Sequence, residues 1–335
     1  METTRRNSRS LITLLSAAAV AITPSATGDT PTGWGDSTFG QTQRAPGAGR
    51  EAIVFIDAGG SHNIALGQGG RVFVWGKNAY GQCNVPGNIG VVADVCAGAE
   101  HCVARLSGGT VRAWGANDFG QASVPPGLSD VRGVAAGNAH SAALRANGLV
   151  VCWGNNLQGQ CNVPAGLAPC EAIDAGANHM VARLASGAGV CWGDNTFGQS
   201  SPPVSLGLVR QIAGGGSHTV ALRVDGTAIG WGNNGNGQAA VPPGLTGVVS
   251  VAAGGYHTVA LKVDGSVVSW GAAGSIDYGQ ATVPAGLRPV RRVSAGGLHT
   301  VVLETTVACA GDVDGSGATD GNDLAEVIGN WGACP

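Results

Sequence analysis

Apolar residues in this chain come in short runs broken by glycine, never in long helical stripes. In one representative unit, Val248 to Ala252 is an apolar run and Ala253-Gly254-Gly255 supplies a turn. The segment His257-Thr-Val-Ala-Leu261 then alternates, with His257, Val259 and Leu261 facing one way. A period of two over so short a run predicts a strand. Asp264-Gly265 separates it from a returning run, Ser266 to Trp270, and this pair predicts a hairpin with a type I′ turn, positive in φ at both residues. A polar loop follows to Gly279-Gln280, and Val283-Pro284 and Gly286 lead into the next unit.

The unit recurs. Trp-Gly begins at Trp34, Trp75, Trp114, Trp153, Trp192, Trp231 and Trp270, with a first step of 41 residues and five of 39. All seven histidines keep similar time: His62, His101, His140, His179, His218, His257 and His299. A Gly-Gln pair follows each of these tryptophans, from Gly40-Gln41 to Gly279-Gln280, and a hairpin glycine lies eight residues after each of the first six histidines. Self-similarity on this scale means a solenoid or a propeller. After His299 there is no hairpin glycine and no Trp-Gly, whereas Trp34-Gly35 has no histidine strand before it. The two half-units complete one another if the ends meet, which removes exposed sheet edges. The expected fold is therefore all-β: a closed seven-bladed β-propeller of 39-residue repeats over residues 29–308, its first and last blade completed across the termini, followed by a short loop–helix.

Composition agrees. Glycine is 58 of 335 residues, against which long helices are costly, and the hydrophobic share of 44% excludes a disordered chain. Residues 1–28 read as a signal peptide, with Arg5, Arg6 and Arg9 before an apolar run from Leu11 to Ile22 and small residues after it. That run is too short to span a bilayer, so a secreted, periplasmic or cell-surface chain without a membrane span is expected. Residues 29–311 hold fifteen basic and fifteen acidic side chains, a balance that gives no footprint for nucleic acid or anionic lipid.

The pattern Ala-Gly-x-x-His-Thr/Ser-x-Ala-Leu, Asp-Gly, Trp-Gly, Asn, Gly-Gln, over residues 33 to about 304, resembles the repeats of the regulator of chromosome condensation family. The resemblance implies a seven-bladed propeller. The 39-residue period is similar to that of secreted bacterial members, such as the β-lactamase-inhibitory type, whose blades are three-stranded. The founder's nucleotide-exchange and chromatin roles do not carry over to an exported, neutral chain.

Seven histidines on matching positions of separate blades lie too far apart for one zinc ion, and a buried imidazole bonded to a neighbouring loop is the simpler expectation. The tryptophans are expected in the core. Just before the Gly-Gln glycine stand Phe39, Tyr80, Phe119, Phe197 and Tyr278, with Gln158 and Asn236 at the other two positions. These loops cluster on one face, and their aromatics either seal their own blades or form a partner-binding ring. The residue before each histidine varies freely: Ser61, Glu100, Ala139, Asn178, Ser217, Tyr256, Leu298. No Ser-His-Asp triad or paired-carboxylate spacing stands out, so no enzyme is expected, although carboxylates converging in the central channel from distant loops stay open.

Residues 309–335 carry explicit metal chemistry. Asp312, Asp314, Ser316, Asp320 and Asp323 fall at positions 1, 3, 5, 9 and 12 of a calcium loop, with Gly317 at the sharp turn and Ala318 offering its carbonyl. Leu324 to Asn330 reads as a short helix. The segment resembles half of a dockerin, which implies calcium as cofactor and a tethering or sorting role. Of nine cysteines, Cys309 and Cys334 bracket this unit as a possible disulfide; Cys161 and Cys170 offer a local alternative, and the rest read mostly as buried thiols. The expected function is a monomeric, non-enzymatic propeller that binds a protein through the aromatic loops; the alternative is a carbohydrate-binding module of extracellular polysaccharide degradation.

Overall fold

The computed structural model describes residues 30–45 and 51–305, and every regular element there is a strand or a single 3-10 turn. The inner strands are β2 (Ile53–Ala58), β5 (Val92–Ala97), β8 (Val131–Ala136), β11 (Cys170–Ala175), β14 (Val209–Gly214), β17 (Val248–Ala253) and β20 (Val290–Ala295). Each middle strand opens on a repeat histidine: β3 (His62–Gly67), β6 (His101–Leu106), β9 (His140–Arg145), β12 (His179–Leu184), β15 (His218–Arg223), β18 (His257–Lys262) and β21 (His299–Glu304). The outer strands end on Trp-Gly: β4 (Val72–Gly76), β7 (Val111–Gly115), β10 (Val150–Gly154), β13 (Gly189–Gly193), β16 (Ala228–Gly232), β19 (Val267–Gly271) and β1 (Thr30–Gly35). They form seven three-stranded sheets, the arrangement of a seven-bladed propeller, and the seventh joins β20 and β21 to β1, with Trp34 opposite Thr300.

The core lies between sheets. Ile64 and Leu66 of one blade pack with Val92, Val95, Ala104 and Trp114 of the next, all buried. The hairpins differ from expectation. Only the glycine of each pair has positive φ, as in Gly265 at 80°, while the Gly265 amide donates to Lys262 O (3.0 Å) and the Lys262 amide to Ser266 O (2.9 Å). This is a type I turn closed by a glycine bulge, not type I′. Asp264 has its own reason to be there: its Oδ1 accepts from the Ser266 amide (2.9 Å) and hydroxyl (2.6 Å).

Adjacent blades are joined by a polar relay. Each histidine is fully buried, and its Nε2 meets a middle-strand side chain of the next blade, not a loop. The partners are Cys102, Ser141, Met180, Thr219, Thr258, Thr300 and, for His299, Asn63 (2.8 Å). The hydroxyls donate onward to a Gly-Gln carbonyl, as Thr219 does to Gln199 O (2.9 Å), and the Trp231 indole N–H donates to the same oxygen (3.0 Å). A hydroxyl whose proton is spent on Gln199 can only accept from the ring, so His179 carries its proton on Nε2. A second proton would put a charge in the core, and burial holds all seven histidines down to a pKa of about 3 or 4.

Glycine at the inner–middle turn is dictated by this packing. A Cβ on Gly176 would sit 2.1 Å from Cε1 of His179 and 2.4 Å from the carbonyl oxygen of Gly215 on the next blade. At the same turn, backbone amides bridge the blades in a ring of seven interfaces, among them Ala177 N to Gly215 O (3.0 Å), Gly216 N to Gly254 O (2.9 Å) and Gly297 N to Gly59 O (3.1 Å).

Two outcomes follow. Gly176→Ala is expected to cost about 3 kcal/mol or more, as overpacking in a rigid core does, and urea unfolding reads it. The second concerns pH. Unfolded histidine takes a proton near pH 6.5, whereas the folded rings stay neutral to about pH 4, so stability falls as pH drops through that window by about 1.4 kcal/mol per unit for each histidine. Three inner-strand carboxylates with raised pKa values, Asp57, Asp94 and Asp174, work in the opposite sense, since protonation in that window favours the fold. Seven against three leaves a net loss, so the urea midpoint should drop steeply between pH 6.5 and pH 4.5; a flat profile there would refute the buried relay.

Candidate functional site: the loop face and the channel mouth

One end of the disk gathers the loops after Trp-Gly and the varied residue before each histidine. The Lys77 amide donates to Ser61 O (2.8 Å), Asn155 to Ala139 O (2.8 Å) and Asp194 to Asn178 O (2.9 Å), so each loop after Trp-Gly leaves from the edge that bears the inner–middle turn. The hairpins lie at the other edge, where Val92 N donates to Gly70 O (3.2 Å). Each Gly-Gln glutamine is a loop lock: its buried Oε1 accepts the amide two residues earlier, as Gln82 does from Tyr80 (2.9 Å). Asn78, Asn117, Asn156 and Asn195 brace the same loops by accepting the amide five residues on. Asp36 and Asp194 are held by the threonine two residues on. Partial burial works against their ionisation, but those threonine bonds and the glutamine outweigh it and keep both below the usual carboxylate pKa.

With the backbone locked, the aromatic rings stand outward. Phe39, Tyr80, Phe119, Phe197 and Tyr278 are 48 to 54% exposed, which places them on the surface and not in the blade cores. Leu157 and the turn residue Tyr256 add to the same face. Lys77 lies between two rings, its Nζ 5.7 Å from the centroids of both Phe39 and Tyr80, and is ion-paired with Glu100. Asp36, Glu100, Asp118, Asp194 and Asp277 make this face acidic, whereas the hairpin end sets Arg71, Arg105, Arg145, Arg210, Arg223, Lys262 and Arg288 against Glu51, Asp130, Asp225, Asp264 and Glu304. The balanced charge of the body is thus polarised along the disk axis, which a composition cannot express.

A cavity of about 190 Å³ opens at the centre of the loop face, lined by the inner strands and the turns from Gly59-Gly60 to Gly296-Gly297. Its carboxylates, Asp57 and Asp174, come from the inner strands themselves and not from distant loops, and Asn138 of one turn also lines it. Asp57 accepts from the Ala97 amide (2.9 Å) and the Ser294 hydroxyl (2.8 Å), and Asp174 from the Ala175 (2.8 Å) and Gly214 (3.1 Å) amides. Gln211 makes a paired contact to Val251 N and O of the next blade (3.0 and 2.8 Å). Burial raises all three carboxylates, Asp94 to about 6 and Asp174 to about 7, against the amides and, for Asp94, Arg105. Arg292 stacks 4.8 Å from the Phe55 centroid, and burial lowers its pKa to about 10. The sequence carried a trace of these residues: Asp57, Asp94 and Asp174 interrupt otherwise apolar inner runs.

Among the described residues no group of three or more His, Cys, Asp or Glu is placed to hold a metal ion. The calcium-loop residues Asp312 to Asp323, and Cys309 and Cys334, lie outside the described residues, as does the signal segment. The seven described cysteines are free, so Cys161 and Cys170 are not bridged; Cys96, Cys102 and Cys170 are buried. No helix of the described residues is long and apolar enough to cross a membrane.

Solved structures with similar architecture include Prp20p from Saccharomyces cerevisiae, described with its binding to Gsp1p and histones, at TM-score 0.71 and 20% identity over 87% of this chain and 94% of that one. Human WBSCR16 matches at TM-score 0.69 and 19% identity, over 84% of this chain and all of the other. The ectodomain of the Arabidopsis thaliana receptor kinase ACR4 matches at TM-score 0.60 and 22% identity, over 73% and 89%. At these identities the likeness is one of fold. No curated protein sequence matches the chain significantly. The regulator of chromosome condensation (RCC1) repeat matches six times, at residues 53–82, 92–121, 131–160, 170–199, 209–238 and 248–280, together more than half of the sequence, and the chain belongs to that repeat family.

Proposed function

We propose that this protein is an exported, non-enzymatic propeller, a closed disk that binds a protein partner through its loop face. The observation that carries the reading is the ring of half-exposed aromatics, Phe39, Tyr80, Phe119, Phe197 and Tyr278, on loops whose backbone is locked by buried glutamines. Aromatics fixed on a rigid frame lose little entropy on binding and dominate interface energetics. The free variation before each histidine, from Ser61 to Leu298, gives the same face its specificity. Support also comes from the fold neighbours, since the names of the yeast structures record binding to Gsp1p and histones and a complex with Kap60. The calcium loop at Asp312, Asp314, Ser316, Ala318, Asp320 and Asp323, closed by a Cys309–Cys334 disulfide, acts as the tether.

Two experiments test this. Pull-down from the native extracellular fraction should capture a protein that a Tyr80→Ala/Phe119→Ala double variant, unchanged in unfolding midpoint, loses at least tenfold. A glycan array that lights up defined sugars with no captured protein would turn the reading to carbohydrate binding. For the tail, calorimetry on the oxidised full chain should show calcium heat that Asp312→Ala abolishes, and no heat would remove calcium from the account.

A further inference from the structure

Two cysteines face one another in a single blade. The loop after each Trp-Gly folds back, so that the residue after Gly-Gln returns to the residue before Trp-Gly. Where that first residue is glycine the approach is measurable: a Cβ on Gly230 would lie 3.0 Å from Cα of Ala239, and one on Gly33 2.9 Å from Cα of Thr42. At these two positions β10 and its loop carry Cys152 and Cys161. The frame there is the same: Cys152 stands opposite Ala142 as Gly230 does opposite Val220, and Gln160 and Gln238 lock their loops with equal bonds of 2.9 Å. Adding a Cα–Cβ bond of about 1.5 Å sets the two Cα atoms at most about 4.5 Å apart, and room for a real Cβ moves them slightly further, into the span that a disulfide bridges. The other cysteines at these positions lack a mate, since Cys191 is matched with Ser200 and Cys83 with Val74.

We propose that Cys152 and Cys161, thiols in the structure, are an oxidisable pair whose disulfide ties the loop of residues 155–160 to β10. The oxidant is a low-molecular-weight disulfide. Cys161, whose Sγ donates to Asn155 O (3.3 Å), is the less buried of the two and attacks first: its sulfur joins one sulfur of the oxidant, and the other half leaves as a thiol. Cys152 then attacks the Cys161 sulfur and expels the second half. The two cysteine protons end on the two released thiols, and two electrons pass from the cysteines to the oxidant. Burial pushes both thiols up, Cys161 to about 11, and the neighbouring Cys161 raises Cys152 further, so the exchange is slow at neutral pH and quickens as pH rises. The tied loop carries Leu157, 81% exposed, on the face where five other loops carry aromatics. One loop of the seven thereby gains a rigidity that depends on redox state.

The test incubates the full chain with oxidised glutathione at mildly alkaline pH, beside a sample held in reduced glutathione. Remaining thiols are alkylated, and the unfolded chain is cut with chymotrypsin, whose cleavage after Leu157 and Leu167 parts Cys152, Cys161 and Cys170 from one another. Mass spectrometry should find the Cys152 and Cys161 peptides joined until reduction, with Cys191 alkylated. Ser200→Cys, which gives the next blade the same two thiols, should add a bridge to Cys191. Chymotrypsin cleavage of the native protein after Leu157 should slow about fivefold or more in the bridged form, and Cys161→Ser should remove that difference. Cys152 recovered alkylated after oxidation, or Cys161 joined to glutathione or to Cys170, would overturn the pairing. Equal native cleavage of bridged and reduced forms would overturn the loop tether.

Discussion

The fold depends on an imidazole that reaches out of its own sheet. Three-stranded sheets leave their neighbours to complete both faces, and apolar packing alone would let one sheet slide over the next. The histidine prevents this by donating from Nε2 to a side chain of the following middle strand. That side chain passes its proton to the Gly-Gln carbonyl, where the blade's own tryptophan also docks. Leaving one member of such a buried chain unpaired would cost on the order of 1–3 kcal/mol, so the register between blades is set by hydrogen bonding as well as by volume. The turn glycines follow from the same geometry, because the ring and the next blade's carbonyl occupy the space a Cβ needs.

Repetition explains how much was legible in advance. Histidine, tryptophan, hairpin glycine and Gly-Gln recur because every blade meets the same neighbour, so the strands, their order and the burial of the rings could be read from one unit. The histidine's partner could not. It is Ser141 in one blade, Met180 in another and Asn63 in a third, a position that looks variable until the interface is seen. The hairpin pair misled because Asp-Gly suits two turn types, and here only the glycine takes positive φ.

The candidate site divides along the same line. The aromatics were visible as a position, but whether they sealed a blade or faced outward depended on glutamine locking the loop from inside. The channel carboxylates were harder to see, because only two of the seven blades carry one at the shared position, Asp57 and Asp174, each five residues before its histidine. Asp57, Asp174 and Gln211 share one habit all the same: each bonds the backbone of the following inner strand. They lace the wall of the channel where strand edges would otherwise stand unpaired. Charge separation between the two ends of the disk then arises without any net charge, and gives two chemically distinct faces to one neutral body.

If the locked loops present a binding surface, the surface should be occupied as one piece. Hydrogen–deuterium exchange on the protein with its captured extracellular partner reads this directly. Protection is expected in the loops around Tyr80, Phe119 and Tyr278 and in the turns before the histidines, with the hairpins at Gly148 and Gly226 unchanged. Protection confined to the hairpin end, with the aromatic loops exchanging as in the free protein, would contradict the account.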